Sequence, residues 1–265
     1  MHIIVPIKQV PQSSAVKMDP VTGTMIRSGS AATLNPLDLY ALETALCLSE
    51  RSAGSVTALT MGPPSAAQIL KEALSMGASR AILLTDRLFG GSDTYATSYA
   101  LSKAIEHIGS FDLIITGERA TDGDTAQVGP GIAAWLDVAL VTYVSAINTI
   151  VDRTMEVERL TEEGYQAVRL TLPALISVVK EIAIPRLPTL RGKKRAMNTP
   201  IEEWDARTIG ADIGKIGLKG SPTRVVKIES PKVARTAEVH IASDEDSMKG
   251  AVDRLIDIIE EVYHG

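Results

Sequence analysis

Along this chain, short unbroken apolar runs alternate with longer stretches in which apolar residues recur every third or fourth position. These are the signatures of buried strands and of helices with one covered face. Residues 3–7 (IIVPI) form a β-branched run of the kind a parallel strand shows when both its faces are covered. Lys8 to Thr33 is polar, and KMDPVTGTMIR within it predicts a hairpin turning at Pro20 to Gly23. Asn35 as cap and Pro36 in the first turn predict a helix to about Arg51, with Leu39, Leu42, Leu46 and Cys47 on its apolar side. Strands follow at Ser55 to Met61, Ala81 to Thr85 and Phe111 to Thr116, with helices ending near Met76, spanning Thr94 to Ile108, and running from about Thr125 to Leu136. Regular strand and helix alternation at this spacing predicts a doubly wound, mostly parallel α/β sheet.

Beyond Leu136 the period shortens. VTYVSAINTI, TMEVERL, YQAVRLTL and PALISVV read as consecutive strands, with a hairpin turn at Glu162 to Gly164, and these extend the sheet with antiparallel members. IPRLPTLRGKKRAM is broken by prolines and reads, on its charge alone, as a solvated basic loop. Ile209 to Gly220 carries four glycines and reads as a linker; an amphipathic helix capped by Ser243 or Asp244 closes the chain. The domain expectation is therefore an α/β nucleotide-binding domain over 1–208 and a linker with a C-terminal arm over 209–265. Such an arm either returns to its own domain or clasps a partner.

Composition narrows the chemistry. A net charge of -5 on 265 residues gives no reason to expect nucleic acid, and the one cysteine, Cys47, excludes an internal disulfide. A reducing cytoplasmic setting fits. No apolar run reaches the length of a membrane span, and MHIIVPIK turns polar too soon for a signal peptide. The phosphate-loop pattern, the dinucleotide glycine fingerprint and the nucleophile elbow do not occur, and the histidines at 2, 107, 240 and 264 lack metal-ligand spacing. Any redox chemistry then belongs to a bound cofactor. The candidate site is TGERATDGDTAQVGP (Thr116 to Pro130), a strand, loop and helix start where Asp122, Gly123, Asp124 and Thr125 can cap free amides and let a phosphate sit at a helix N-terminus. The plain alternative is a capped loop of any α/β protein.

Five stretches taken together resemble the β subunit of electron-transfer flavoprotein: IIVPIKQVP, LNPLDLYALETAL (Leu34 to Leu46), TMGPP (Thr60 to Pro64), TGERATDGDTAQVGP and PRLPTLRGKKRAM (Pro185 to Met197). They keep the family's order and cover most of the chain. The resemblance implies a Rossmann-like fold of the adenine-nucleotide α-hydrolase type and a heterodimer with an α subunit, on which the C-terminal arm docks. It also implies an adenine nucleotide in this chain, either AMP with a structural role or FAD. RLFGGSDTYAT (Arg87 to Thr97) resembles the branch of the family that bifurcates electrons, which implies FAD, NAD(H) as donor, a dehydrogenase of acyl-CoA or hydroxy-acid type, and ferredoxin or flavodoxin as low-potential acceptor.

Residue roles implied by the resemblance are these. Asp122, Thr125, Gln127 and Val128, with the amides around Arg119, Ala120, Asp124 and Ala126, hold the diphosphate. Asn35 and Asp38, with Pro6, Ile7, Lys8 and Met61, line the adenosine region. Gly90 and Gly91 give backbone access, and Ser92 and Thr94 lie near the flavin ring. An anionic phosphate beside Asp122 and Asp124 is unfavourable, so at least one carboxylate should turn toward backbone or ribose. Leu190 stands where the family anchors its dehydrogenase, ringed by Arg191, Lys193 and Lys194, although the loop here is shorter.

Overall fold

The structure, a computed structural model, describes residues 1–12, 32–226 and 239–264. The hairpin expected at Pro20 to Gly23 lies outside the described residues. The chain divides into two compact units, Met1–Val226 and Lys227–Gly265.

In the first unit, β1 (His2–Pro6), β2 (Gln9–Pro11) and β3 (Ala32–Leu34) precede α1 (Pro36–Arg51). There follow β4 (Ser55–Met61), α2 (Ala67–Met76), β5 (Arg80–Leu84), α3 (Thr94–Ile108), β6 (Leu113–Gly117) and α4 (Val128–Leu136). Next come β7 (Ala139–Val151), β8 (Thr154–Thr161), β9 (Gly164–Thr171), β10 (Ala174–Val178), α5 (Leu190–Asn198), β11 (Glu202–Trp204) and α6 (Gly217–Gly220). The second unit holds α7 (Glu245–His264), whose start is capped by Asp244, the Oδ1 accepting from the Ser247 amide at 2.8 Å.

Nine strands form one sheet in the order β11-β5-β4-β1-β6-β10-β7-β8-β9, while β2 and β3 pair apart from it. This is the doubly wound α/β architecture expected. Side chains alternate across the pleat, so Ile3 and Val5 pack under Leu42 and Leu70 of α1 and α2, whereas Ile4 packs with Ile105 and Ile132 of α3 and α4. The chain lays β4 and β5 on one side of β1 and then crosses to place β6 on the other, both neighbours parallel to it. The ends of β1 and β6 therefore flank the point where strand order reverses, and a crevice opens at such a point because the two connecting loops part company.

Three local expectations change. In the nine-stranded sheet the antiparallel pairs are β7–β8 and β8–β9; β10 inserts between β6 and β7, parallel to both. The basic stretch after Pro188 is a helix, not a loop, because Thr189 Oγ1 accepts the Gly192 amide at 2.9 Å and caps it. Residues 209–220 are packed onto the first unit, where Ile209 and Ile216 are buried and the Gly217 amide donates to Ser92 Oγ at 3.0 Å. Their glycines serve close packing, which a composition count reads as slack.

Candidate functional site

The loops leaving β1 and β6 meet at the crevice. Lys8, the second residue after β1, donates its amide to Asp38 Oδ2 at 2.8 Å, and its Nζ lies 2.6 Å from Asp122 Oδ1. Asn35, expected to cap α1, makes no such bond. Its Nδ2 donates to the Arg119 carbonyl at 2.9 Å and its Oδ1 accepts the Thr121 amide at 3.3 Å, so it staples the β6 loop to the start of α1. Arg119 Nε in turn lies 2.8 Å from Asp124 Oδ1. Both loop carboxylates face cations of this chain.

At the base of the crevice Gly117 presses against α1. A Cβ there would stand 2.5 Å from Asp38 Oδ1 and 2.8 Å from the Leu37 carbonyl carbon, so only glycine lets strand and helix approach this closely. Asp38 is buried by this contact. Burial pushes its carboxyl from 3.8 to about 7, against the opposing pull of the Lys8 and Gly117 amides, the Asn35 side chain and the Lys8 charge. Since the folded value lies above the unfolded one, the folded state holds this proton more tightly. The stability it contributes is full below about pH 4, falls as pH rises, and levels above about pH 7. Asp38→Asn should lower stability at every pH, because an amide accepts fewer of these bonds, and should also flatten the slope between pH 4 and 7. Urea unfolding across that range would show an unchanged slope if Asp38 is not the group responsible.

The path into α4 is the most unusual backbone in the crevice. Asp124 and Ala126 both have left-handed conformations, φ 53° and 54°. For alanine this costs on the order of 1 kcal/mol. Alternation of this kind turns successive amides toward one concave side, a shape suited to an anion. α4 starts at Val128, not Thr125, and no side chain caps it. The Asp and Thr expected to occupy its free amides leave them open. Pro130 has no N–H and the Gly131 amide bonds to Gln127, which leaves the Val128 and Gly129 amides at the positive end of the helix.

Two further observations bear on whether a nucleotide fits. Thr116 Oγ1 is buried and has no hydrogen-bond partner, a costly state for a hydroxyl, and it lies 2.9 Å from where a Gly129 Cβ would be. Thr94 Oγ1 donates to Gln127 Oε1 at 2.9 Å, linking the starts of α3 and α4. Beside that bond a cavity of about 430 Å³ is lined by Ser98, Gly131, Tyr95 and Trp135, the last two rings meeting edge to face at 5.3 Å. The chain's own donors fit a diphosphate at α4 with a flat apolar group beyond it. Thr116 and Gly129 were given no role from the sequence and Gly117 only that of ending the strand; the T-G…V-G-P-G spacing was the available signal.

The structure thus brings together Pro6, Ile7, Lys8, Asn35, Asp38 and residues 119–128, with Thr94 joined through Gln127. Met61 ends β4, beside β1 in the sheet. Gly90, Gly91 and Ser92 are placed differently. The Gly90 carbonyl accepts the Leu218 amide at 3.1 Å and Ser92 Oγ accepts from Gly217, so this turn packs against α6.

Comparison with known proteins gives the family. Residues 22–209 match the model of the electron transfer flavoprotein domain. The chain belongs to the electron-transfer flavoprotein β-subunit family. It is 44% identical over 256 residues to the electron transfer flavoprotein subunit beta of Thermoanaerobacterium thermosaccharolyticum, covering 96% of this chain and 98% of that one. It is 45% identical over 262 residues to Protein FixA of Bradyrhizobium diazoefficiens, covering 96% and 91%. It is 43% identical over 253 residues to the caffeyl-CoA reductase-Etf complex subunit CarD of Acetobacterium woodii, covering 95% and 96%. The family match spans the crevice from Asn35 to Val128 and the whole of the basic helix α5. Among the described residues no helix is long and apolar enough to cross a membrane.

Proposed function

We propose that this chain, paired with an α subunit, is the β subunit of an electron-bifurcating flavoprotein and holds FAD in the crevice between β1 and β6. The observation that carries the reading is the open start of α4, where two uncapped amides, a left-handed approach and the unpartnered Thr116 hydroxyl surround one spot. Those amides would hold the diphosphate, Thr116 would donate to it, and Lys8 and Arg119 would exchange a carboxylate for a phosphate oxygen. Asn35 and Asp38 would fix the ribose side, and burial, which pushes the Asp38 carboxyl up to about 7, leaves less negative charge beside the phosphates than an ordinary aspartate would carry. Tyr95, Trp135 and the Thr94–Gln127 bond would border the ring. Bound there, FAD would supply the hydride-accepting and electron-passing chemistry, with NADH as donor and a dehydrogenase and a low-potential acceptor such as ferredoxin or flavodoxin as recipients.

Docking of the dehydrogenase is assigned to α5. Leu190 is 86% exposed, and Arg191, Lys193 and Lys194 around it suit an acidic partner surface. A partner of acyl-CoA type is in keeping with the relative named for a caffeyl-CoA reductase complex. The C-terminal arm, with Leu255, Ile258 and Ile259 at helical spacing, is assigned to the α subunit.

One observation favours a second reading. The packing of Gly90, Gly91 and Ser92 on α6 takes up backbone that was expected to admit a ring, which suits AMP as a structural ligand with a single flavin in the α subunit. Counting flavin in the purified αβ complex decides between the two: two FAD per heterodimer are expected, and one FAD with one AMP would overturn the bifurcating reading.

A further inference from the structure

The segment that leads into and forms α5 is attached to the rest of the unit far more firmly than its exposed apolar residues suggest. Ile184, Leu187, Leu190 and Met197 are each at least 80% exposed. Between Ile184 and Leu187, however, Arg186 turns inward onto α1. Its amide donates to Glu43 Oε2 at 3.0 Å, its Nε reaches both Glu43 oxygens, and its Nη1 and Nη2 reach Glu50. Burial alone would raise the Glu43 carboxyl, yet the Arg186 hydrogen bonds outweigh it and hold the group below its ordinary value. One guanidinium thus spans two carboxylates two turns apart on α1, a task its planar fork performs and a lysine ammonium does not.

The other end of the segment is tied to α2 by an exchange of helix caps. Lys71 of α2 donates to the Ala196 and Thr199 carbonyls at 2.8 and 2.7 Å, at the C-terminus of α5. Arg195 of α5 donates to the Leu74 and Ala78 carbonyls at 2.7 and 3.3 Å, at the C-terminus of α2. Each cation satisfies carbonyls that the other helix cannot. Between these caps α5 lies so close to α2 that a Cβ on Gly192 would stand 2.1 Å from the Ser75 carbonyl oxygen. The basic run that reads as one patch therefore has two parts: Arg195 is spent on α2, and Arg191, Lys193 and Lys194 stand with Leu190.

We propose that Arg186, Lys71 and Arg195 are positioning residues that hold residues 184–199 as a preformed platform for the dehydrogenase, an inference that rests on the docking role assigned to Leu190. A surface fixed before the encounter does not lose the freedom of its side chains and backbone during it, so these anchors act on partner affinity without touching the partner.

The test uses the full αβ complex carrying Arg186→Met, Arg186→Lys, Lys71→Met, Arg195→Met or Gly192→Ala. Amide exchange is read over residues 187–199, and steady-state kinetics use a purified acyl-CoA dehydrogenase that the wild-type complex reduces. Each variant should speed exchange in that segment by about tenfold and raise KM for the dehydrogenase by about as much, with kcat changed less than about twofold. Arg186→Lys should recover part of both. Gly192→Ala is the sharpest arm, because alanine favours an isolated helix and would slow exchange if helix propensity governed α5. Unchanged exchange in Lys71→Met and Gly192→Ala overturns the platform, and those two variants keep the test open if Arg186→Met fails to fold. Faster exchange with unchanged KM overturns the positioning role. Leu190→Ala leaves every anchor in place, so an unchanged KM in that variant alone identifies the docking assignment as the failure.

Discussion

Gly117→Ala should damage both stability and the crevice. The new Cβ would meet Asp38 Oδ1 at 2.5 Å and the backbone of Leu37 at 2.8 to 2.9 Å. A side-chain tip could swing aside, but the first turn of α1 cannot move without losing the Lys8 and Gly117 amide bonds to Asp38 and the Asn35 staple to the β6 loop. The cost is expected at about 3 kcal/mol, which in a domain of this size lowers Tm by about 6–12 °C. Adenine-nucleotide affinity should fall by about tenfold or more, since both walls of the crevice are displaced. Gly123→Ala is the matching control. A Cβ at that position has nothing within 4 Å, so Tm should stay within about 2 °C, and any loss of affinity would report direct contact with the nucleotide. Equal Tm values for the two variants would refute the account of how β6 meets α1.

The second large effect belongs to Leu190→Ala. An apolar side chain 86% exposed and ringed by cations has little to contribute to folding, so stability should change by less than about 0.5 kcal/mol. As a buried anchor in the complex it should contribute about 2 kcal/mol or more, equivalent to an approximately thirtyfold loss in kcat/KM for electron delivery to the dehydrogenase. Flavin reduction by NADH should proceed at the wild-type rate. Delivery at the wild-type rate as well would remove Leu190 from the docking surface.

Much of the parallel sheet was legible because its strands carry their signal locally. IIVPI, SVTALTM and FDLIIT are buried on both faces, so nearly every position must be apolar, and the helices between them keep one covered side. The loop carrying the crevice was legible too, as a strand, a glycine and a helix start. What escaped were arrangements decided by distant residues. Nothing in PALISVV says that β10 enters between β6 and β7, since a buried strand reads alike in either direction. α5 was hidden by its length of nine residues and its charge, although Thr189 after Pro188 and Pro200 beyond its end mark both boundaries. Asn35 looked like a helix cap because its identity and place suit one. Its amide instead serves a loop 84 positions away, which local pattern cannot reveal. The left-handed turns at Asp124 and Ala126 are equally silent, because alanine is not a residue that announces such a conformation.

α1 holds both of the regions assigned above: Asn35 at its start secures the β6 loop, and Glu43 in its middle secures Arg186. Eight residue steps separate these two grips, a rise of about 12 Å. A helix neither stretches nor shortens under modest load, so it serves as a ruler between the crevice and the segment that carries α5. Insertion or loss of one residue in that stretch would rotate one grip by about 100° relative to the other. The span from Asn35 to Glu43 can therefore vary in sequence far more readily than in length.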